Sequence, residues 1–154
     1  MPLDGSALAA KVLPEVEDLA KSQQAEIMLL TVVNVSNMAW ITEEAPSAAV
    51  EEILAVFKAD AEKKLAEAAN SLKAKGLKVN TVYREGVPAQ EIIQYAAEAP
   101  CDLIAMATHG RGEVAWVLGS VAEKVVSHAT VPVLLMRVIE AQPLTEKRER
   151  FGGP

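Results

Sequence analysis

The sequence predicts an α/β fold built on a parallel sheet. Two observations carry this expectation. Strand-length apolar runs alternate along the chain with segments of helical periodicity. Two of those runs, "EIMLLTVVNV" (residues 26–35) and "CDLIAMAT" (residues 101–108), lack the inside–outside alternation of a half-buried strand. That is the pattern of strands covered on both faces. Crossovers in such a sheet are right-handed. Ligands bind beyond the carboxyl ends of its strands, where strand order reverses.

Each element has a local reason. Asp4 and Ser6 are cap-type residues, and Leu8, Val12, Val16 and Leu19 follow at helical spacing. Pro14 falls inside this pattern and predicts a kink or a lost hydrogen bond. The apolar run 26–35 is of strand length. "SNMAWITEEAP" reads as a loop or an irregular entry to the next helix. Residues 47–75 are helical in pattern, with Val50, Ile53, Leu54, Phe57, Leu65 and Leu72 on one side and Gly76 as the stop. "LKVNTVYREG" alternates and predicts a strand. In "VPAQEIIQYAAEAP", Pro88 stands where a first helical turn tolerates it, and Pro100 lies beyond the end. A buried strand at 101–108, a helix at 120–129 and a last strand "VPVLLMRVI" complete the series. Residues 1–140 are expected to form one domain. The charged residues 141–154, with their Gly-Gly-Pro end, are expected to form a mobile tail.

Composition bounds the function. The 154 residues suit a single domain with a real core. Hydrophobic residues are 51% and aromatics only 4%, so the core must be built from Ala, Val, Leu and Ile. A net charge of -6 argues against a nucleic-acid surface, which needs a basic face. No apolar run reaches the ~18 residues of a membrane span, and no secretory leader is visible. The single Cys101 excludes an internal disulfide and a multi-cysteine zinc site. A soluble cytoplasmic protein is the expectation.

The stretch "MATHGRGEVAWVLGSVAEKVV" (residues 106–126) carries the chemistry. A strand, then glycines, then a helix start describes an anion site. Unpaired backbone N–H groups and the helix dipole meet there. Glycine lets the backbone come close, and Ser120 adds a hydroxyl. A Walker A loop needs Lys before its closing Ser or Thr, and Leu118-Gly119-Ser120 has none. "GRGEVA" matches the dinucleotide fingerprint only loosely and follows the wrong strand. On these residues alone a second reading stays open: Gly110 and Gly112 simply shape a tight connection.

The stretches "PLDGS", "MATHGRG" and "LGSVAEKVVSHATVPVLLMR", in this order and at these distances, resemble the universal stress protein family from about Pro2 to Arg137. The resemblance implies a three-layer, doubly wound parallel sheet of order 3-2-1-4-5 and a homodimer. It also implies, for one subgroup, ATP bound through a G-x2-G-x9-G-S/T loop, with slow hydrolysis at most. A second subgroup lacks the motif and binds no ATP. Carried over residue by residue, the two leading glycines fall on Ala107 and Gly110, and the closing pair on Gly119 and Ser120. Gly110, Gly119 and Ser120 would hold phosphates, with Val121 near them. Asp4 matches the acidic residue at the adenine side, with Pro2 and Leu3 beside it. Val32 matches an adenine-pocket position, and Leu3, Val32 and Met106 would pack on base or ribose. Arg111 is the candidate side-chain phosphate contact. The expected ligand is therefore ATP, with or without Mg²⁺.

Three departures from the family pattern stand out. Ala107 replaces a glycine. Eight residues rather than nine separate Gly110 from Gly119. Only Met1-Pro2-Leu3 precedes Asp4, so strand 1 is expected to be a truncated stub. The remaining polar residues have plainer readings. His109 and Glu113 suit a solvent-facing loop. Glu123 suits a solvated helix face, and His128 the negative end of a helix dipole. Cys101 reads as an inert core thiol, and Trp116 as a cover for the site or for a partner. No catalytic constellation and no metal site are evident. The last strand, residues 133–138 with Val133 and Val138 at its ends, is the expected homodimer edge. Two functions remain: an ATP-binding stress-response regulator with little or no turnover, and a non-nucleotide-binding dimeric interaction module of the same fold.

Overall fold

The structure is a computed structural model and describes residues 1–34, 47–108 and 118–137. In chain order the elements are α1 (Ala7–Ala10), α2 (Leu13–Gln23), β1 (Ile27–Val33), α3 (Ser47–Lys73) and β2 (Val79–Glu85). Then follow α4 (Pro88–Glu98), β3 (Ile104–Ala107), α5 (Ser120–His128) and β4 (Val133–Met136). The alternation predicted from the sequence is present, and the sheet pairing is parallel. β1 pairs β2 with Ile27 opposite Val79, and β3 pairs β4 with Ile104 opposite Val133. A single parallel bridge, Pro2 to Leu30, sets the N-terminal residues beside β1 on its other edge.

That bridge shows how a proline fits there. Leu30 donates its N–H to the Met1 carbonyl at 2.9 Å, and Leu3 donates back to the Leu30 carbonyl at 2.8 Å. The Met1 ammonium donates to the Met28 carbonyl at 2.7 Å. In a parallel pair the bonding groups alternate along each strand. Pro2 therefore points its own backbone away from β1, and its missing N–H removes no bond from the bridge.

Helices cover both faces of the strands. On one face Ile27 and Leu29 of β1 and Val79 of β2 pack with Val16 and Ala20 of α2 and Leu65, Ala69 and Leu72 of α3. On the other, Leu30, Ile104 and Met106 pack with Ala89, Ile92 and Ala96 of α4 and Ala122 and Val125 of α5. Successive residues Leu29 and Leu30 thus enter opposite cores, which is the period-two geometry of a strand buried on both sides.

Local chemistry sets the boundaries. The chain turns at Lys11 and Val12 and restarts as α2, so Pro14 sits in the first turn of a new helix. No N–H is needed there. Gly76 ends α3 with φ 84, and its N–H bonds the Lys73 carbonyl at 2.9 Å. Glu17 of α2 is held between Lys21 at 2.6 Å and Lys75 at 2.5 Å, which tethers α2 to the chain just beyond α3. These two hydrogen-bonded ammonium groups hold its carboxyl below the usual range. Arg84 of β2 reaches Glu98 at 2.7 Å and Glu91 at 3.3 Å and lies 5.0 Å over the Tyr95 ring. It locks α4 onto β2.

Two sequence expectations change. Phe57, expected on the buried side of its helix, is 45% exposed, and Val56 beside it is 65% exposed. The strand expected to run from Cys101 begins at Ile104, with Cys101 half-buried before it. The segment after Val35, the residues His109, Gly110, Arg111, Gly112, Glu113 and Trp116, Val138 and the tail 141–154 lie outside the described residues.

Candidate functional site

The carboxyl ends of β1 and β3 open into a pocket of about 250 Å³. Three structures meet at it. The first is the turn after the N-terminal bridge. Asp4 accepts the Ser6 N–H through Oδ1 at 2.8 Å, and Ser6 accepts the Ala9 N–H through Oγ at 3.1 Å. Gly5 between them has φ 73, a left-handed conformation that glycine adopts without strain. The Asx turn fixes the Asp4 carboxylate at the rim.

The second is the start of α5. Gly119 is its N-cap, with φ -59 and ψ 146 and no side-chain cap. The Gly119 N–H donates to the Thr108 carbonyl at 2.9 Å, and the Thr108 N–H donates to the Met136 carbonyl at 3.0 Å. The start of α5 is thus tied to the end of β3, and that in turn to β4. The first intrahelical bond runs from Glu123 N–H to the Gly119 carbonyl at 2.8 Å. The N–H groups of Ser120, Val121 and Ala122 therefore have no acceptor inside the helix. All three residues border the pocket. With the dipole behind them they form an anion-facing end. The Gly119 N–H is bonded to the Thr108 carbonyl, so the helix-end donors that border the pocket begin at Ser120.

The third is the free edge of β1. Ile27 takes its N–H to β2, bonding the Lys78 carbonyl at 2.8 Å, and Val33 offers its carbonyl to Gly86 N–H at 3.0 Å. Odd-numbered residues thus bond β2, and even-numbered ones face the N-terminal bridge. Met28 and Leu30 find partners there. Val32 is next in that series, but the chain turns off at Asp4. No described residue pairs with its N–H or C=O, and Val32 lines the pocket. A donor and an acceptor stand side by side at an apolar wall made by Leu3, Leu30, Ile92 and Met106.

Of the residues singled out in the sequence, Pro2, Leu3, Asp4, Val32 and Met106 stand at this pocket. So do Ala107, Gly119, Ser120 and Val121. Gly110 and Arg111 lie outside the described residues. Ala107 is the last residue of β3 and, among the described residues, is not one of those with positive φ. Alanine in place of glycine is therefore no strain here. Sequence reasoning missed Pro88 and Ile92, which α4 contributes to the wall. It also missed Thr31, whose hydroxyl donates to the Leu3 carbonyl at 3.1 Å from a buried position. Thr31 is the one polar residue within β1, "IMLLTVV", and that isolation was a usable signal.

Among the described residues the pocket offers apolar walls, a backbone donor–acceptor pair at Val32 and the helix-end N–H groups of α5. Among the described residues no group of three or more His, Cys, Asp or Glu stands together to hold a metal. None of the described helices is long and apolar enough to cross a membrane.

Comparisons with known proteins bear on the same residues. The family model described as "Universal stress protein family" matches residues 1–137. A universal stress protein of Bacillus subtilis, YxiE, is 36% identical over 141 residues, spanning 88% of this chain and 95% of that protein. Universal stress protein MJ0531 of Methanocaldococcus jannaschii is 35% identical over 138 residues, spanning 89% of this chain and 79% of its own length. Among solved structures, the protein MJ0577 of the same archaeon superposes with a TM-score of 0.79 at 26% identity, over 91% of this chain and 94% of that one. Two further structures share the fold at lower identity. A universal stress protein in complex with cAMP has a TM-score of 0.61 at 20% identity, over 89% and 93% of the two chains. One from Archaeoglobus fulgidus in complex with dAMP has a TM-score of 0.56 at 18% identity, over 87% and 92%.

Proposed function

The chain belongs to the universal stress protein family, and from that premise we propose that it is a cytoplasmic, ATP-binding stress-response regulator with little or no turnover. The observation that carries the reading is one pocket with two matched ends. At one end the helix α5 offers the N–H groups of Ser120, Val121 and Ala122, with the Ser120 hydroxyl, to phosphate. At the other, the free N–H and C=O of Val32 complement the ring acceptor and amino donor on the edge of adenine. Guanine presents the reverse order, a ring donor beside a carbonyl. Leu3, Leu30, Ile92 and Met106 sandwich the base, and Asp4 sits at the rim for ribose hydroxyls. Gly110 and Arg111 complete the phosphate loop in this reading, and Mg²⁺ accompanies the phosphates. Relatives of this fold in complex with cAMP and dAMP support an adenine nucleotide as the ligand class.

The same reading takes the N-terminal bridge as a truncated first strand between β1 and β3. The order is then 3-2-1-4-5 in a three-layer, doubly wound domain of residues 1–140, with 141–154 as a charged tail. Calorimetry with ATP and Mg²⁺ tests the ligand. Saturable heat near one nucleotide per chain is expected, with GTP much weaker. Silence at millimolar ATP would leave the alternative, a non-nucleotide-binding interaction module.

The domain also forms a homodimer in this reading. Among the described residues β4 pairs only with β3, and Leu134 on it is 39% exposed. An apolar strand edge invites pairing with a second copy across a two-fold axis. Light scattering at tens of micromolar is expected to give a dimer, and Leu134→Lys a monomer. A wild-type monomer would overturn this assembly.

A further inference from the structure

We propose that Thr31 is a positioning residue that keeps the base-reading edge of Val32 open. The inference rests on the adenine-nucleotide reading of the pocket and adds to it the device that holds one wall in its binding form. The bridge beside β1 uses Met28 C=O, Leu30 N–H and Leu30 C=O in succession. If the pairing ran one rung further, the Leu3 carbonyl would accept the Val32 N–H. It does not. The Leu3 carbonyl accepts the Thr31 hydroxyl instead, at 3.1 Å.

The substitution has two consequences. The Leu3 carbonyl is satisfied without Val32, so a buried acceptor is not left bare. The chain is also free to leave the strand direction at Asp4 and enter the Asx turn at Ser6. Thr31 and Leu3 are both buried, with 8% and 9% exposure, so water is a poor substitute for the hydroxyl. Without it, continuing the parallel pairing by one rung would give the Leu3 carbonyl the Val32 N–H as its donor. That group would then be closed to a ligand. Leu3 and the base compete for one donor, and Thr31 decides the competition in favour of the base.

Three measurements test this. Residue-resolved amide exchange on the free wild-type protein is expected to show Val32 exchanging fast beside slow Leu29 and Thr31, and slowing when adenine nucleotide binds. Thr31→Val keeps the shape and removes the hydroxyl. It is expected to protect the Val32 amide in the free protein and to weaken nucleotide binding about tenfold, the size of one neutral hydrogen bond lost to a competitor. Thr31→Ser is expected to restore both. A hydroxyl that served only stability would lower the melting temperature of Thr31→Val and leave both the Val32 exchange and the affinity unchanged, and that result overturns the proposal. A Val32 amide already protected in the free wild type overturns it without any variant, even if Thr31→Val fails to fold. Failure of the ligand reading is distinct: no nucleotide binds the wild type, while the exchange of Val32 in the free proteins still decides the role of Thr31.

Discussion

Gly119→Val is expected to abolish nucleotide binding while the protein stays folded. The backbone at Gly119, φ -59 and ψ 146, is open to every L-residue, so glycine is not there for its conformation. Its N–H is bonded to Thr108 and its carbonyl to Glu123, and neither bond needs a bare Cα. What a side chain would change is access to the N–H groups of Ser120 and Val121 immediately after it. Two charge-assisted hydrogen bonds are worth roughly 1.5–3 kcal/mol each, so losing both raises Kd about a hundredfold or more. The folding penalty is smaller. Valine is a poorer N-cap than glycine by about 1 kcal/mol. In a domain of this size that lowers Tm by about 2–4 °C. Calorimetry and a thermal melt on the same sample separate the two effects. A folded Gly119→Val protein that binds ATP as tightly as the wild type would remove phosphate from the start of α5.

The fold was legible wherever periodicity alone decides an element. The unalternating run at β1 announced burial on both faces, and Leu29 and Leu30 enter opposite cores. Pro14 announced a break, which falls three residues earlier than the proline because α2 places it in the first turn. Phe57 shows the limit. Its spacing put it on the apolar side of α3, yet it is 45% exposed. A helix of 27 residues is about 40 Å long. The seven residues of β1 span only about 23 Å. Among the described residues the helix contributes buried side chains to the core from its second half, Leu65 to Leu72. Periodicity finds a face but not the length of what lies beneath it.

The site was legible where backbone chemistry marks the sequence. Glycine before a helix, an Asx-forming Asp4 and a strand end at Ala107 are local features, and the fold brings them to one pocket. Pro88 and Ile92 were not legible as site residues. An apolar residue on an amphipathic helix reads as core, and Ile92 belongs to the core and lines the pocket at once. The free edge of Val32 was invisible for a different reason. It depends on where a neighbouring strand stops, which the apolar periodicity of β1 does not mark.

Leu29→Ala is expected to be the most destabilising single change, and it doubles as a reporter of the pocket. Leu29 is fully buried on the α2–α3 side of β1. Truncating such a leucine costs about 2–5 kcal/mol. Against a typical domain stability of about 5–15 kcal/mol, that lowers Tm by roughly 4–20 °C. The strand alternation keeps Leu29 off the face that carries Leu30 and Val32, so the pocket wall and its intrinsic affinity should survive. A ligand that binds only the folded state then restores stability by mass action, about 2.7 kcal/mol at a hundred times Kd. Saturating ATP is therefore expected to recover half or more of the lost Tm in Leu29→Ala, and none of it in Leu29→Ala combined with Gly119→Val. Differential scanning calorimetry on both variants, with and without ATP, reads the two outcomes together. An unmoved Tm in Leu29→Ala would show that β1 does not carry the core. Equal recovery in the double variant would move the nucleotide away from α5, because a ligand indifferent to Gly119 cannot have its phosphates on the N–H groups that follow it.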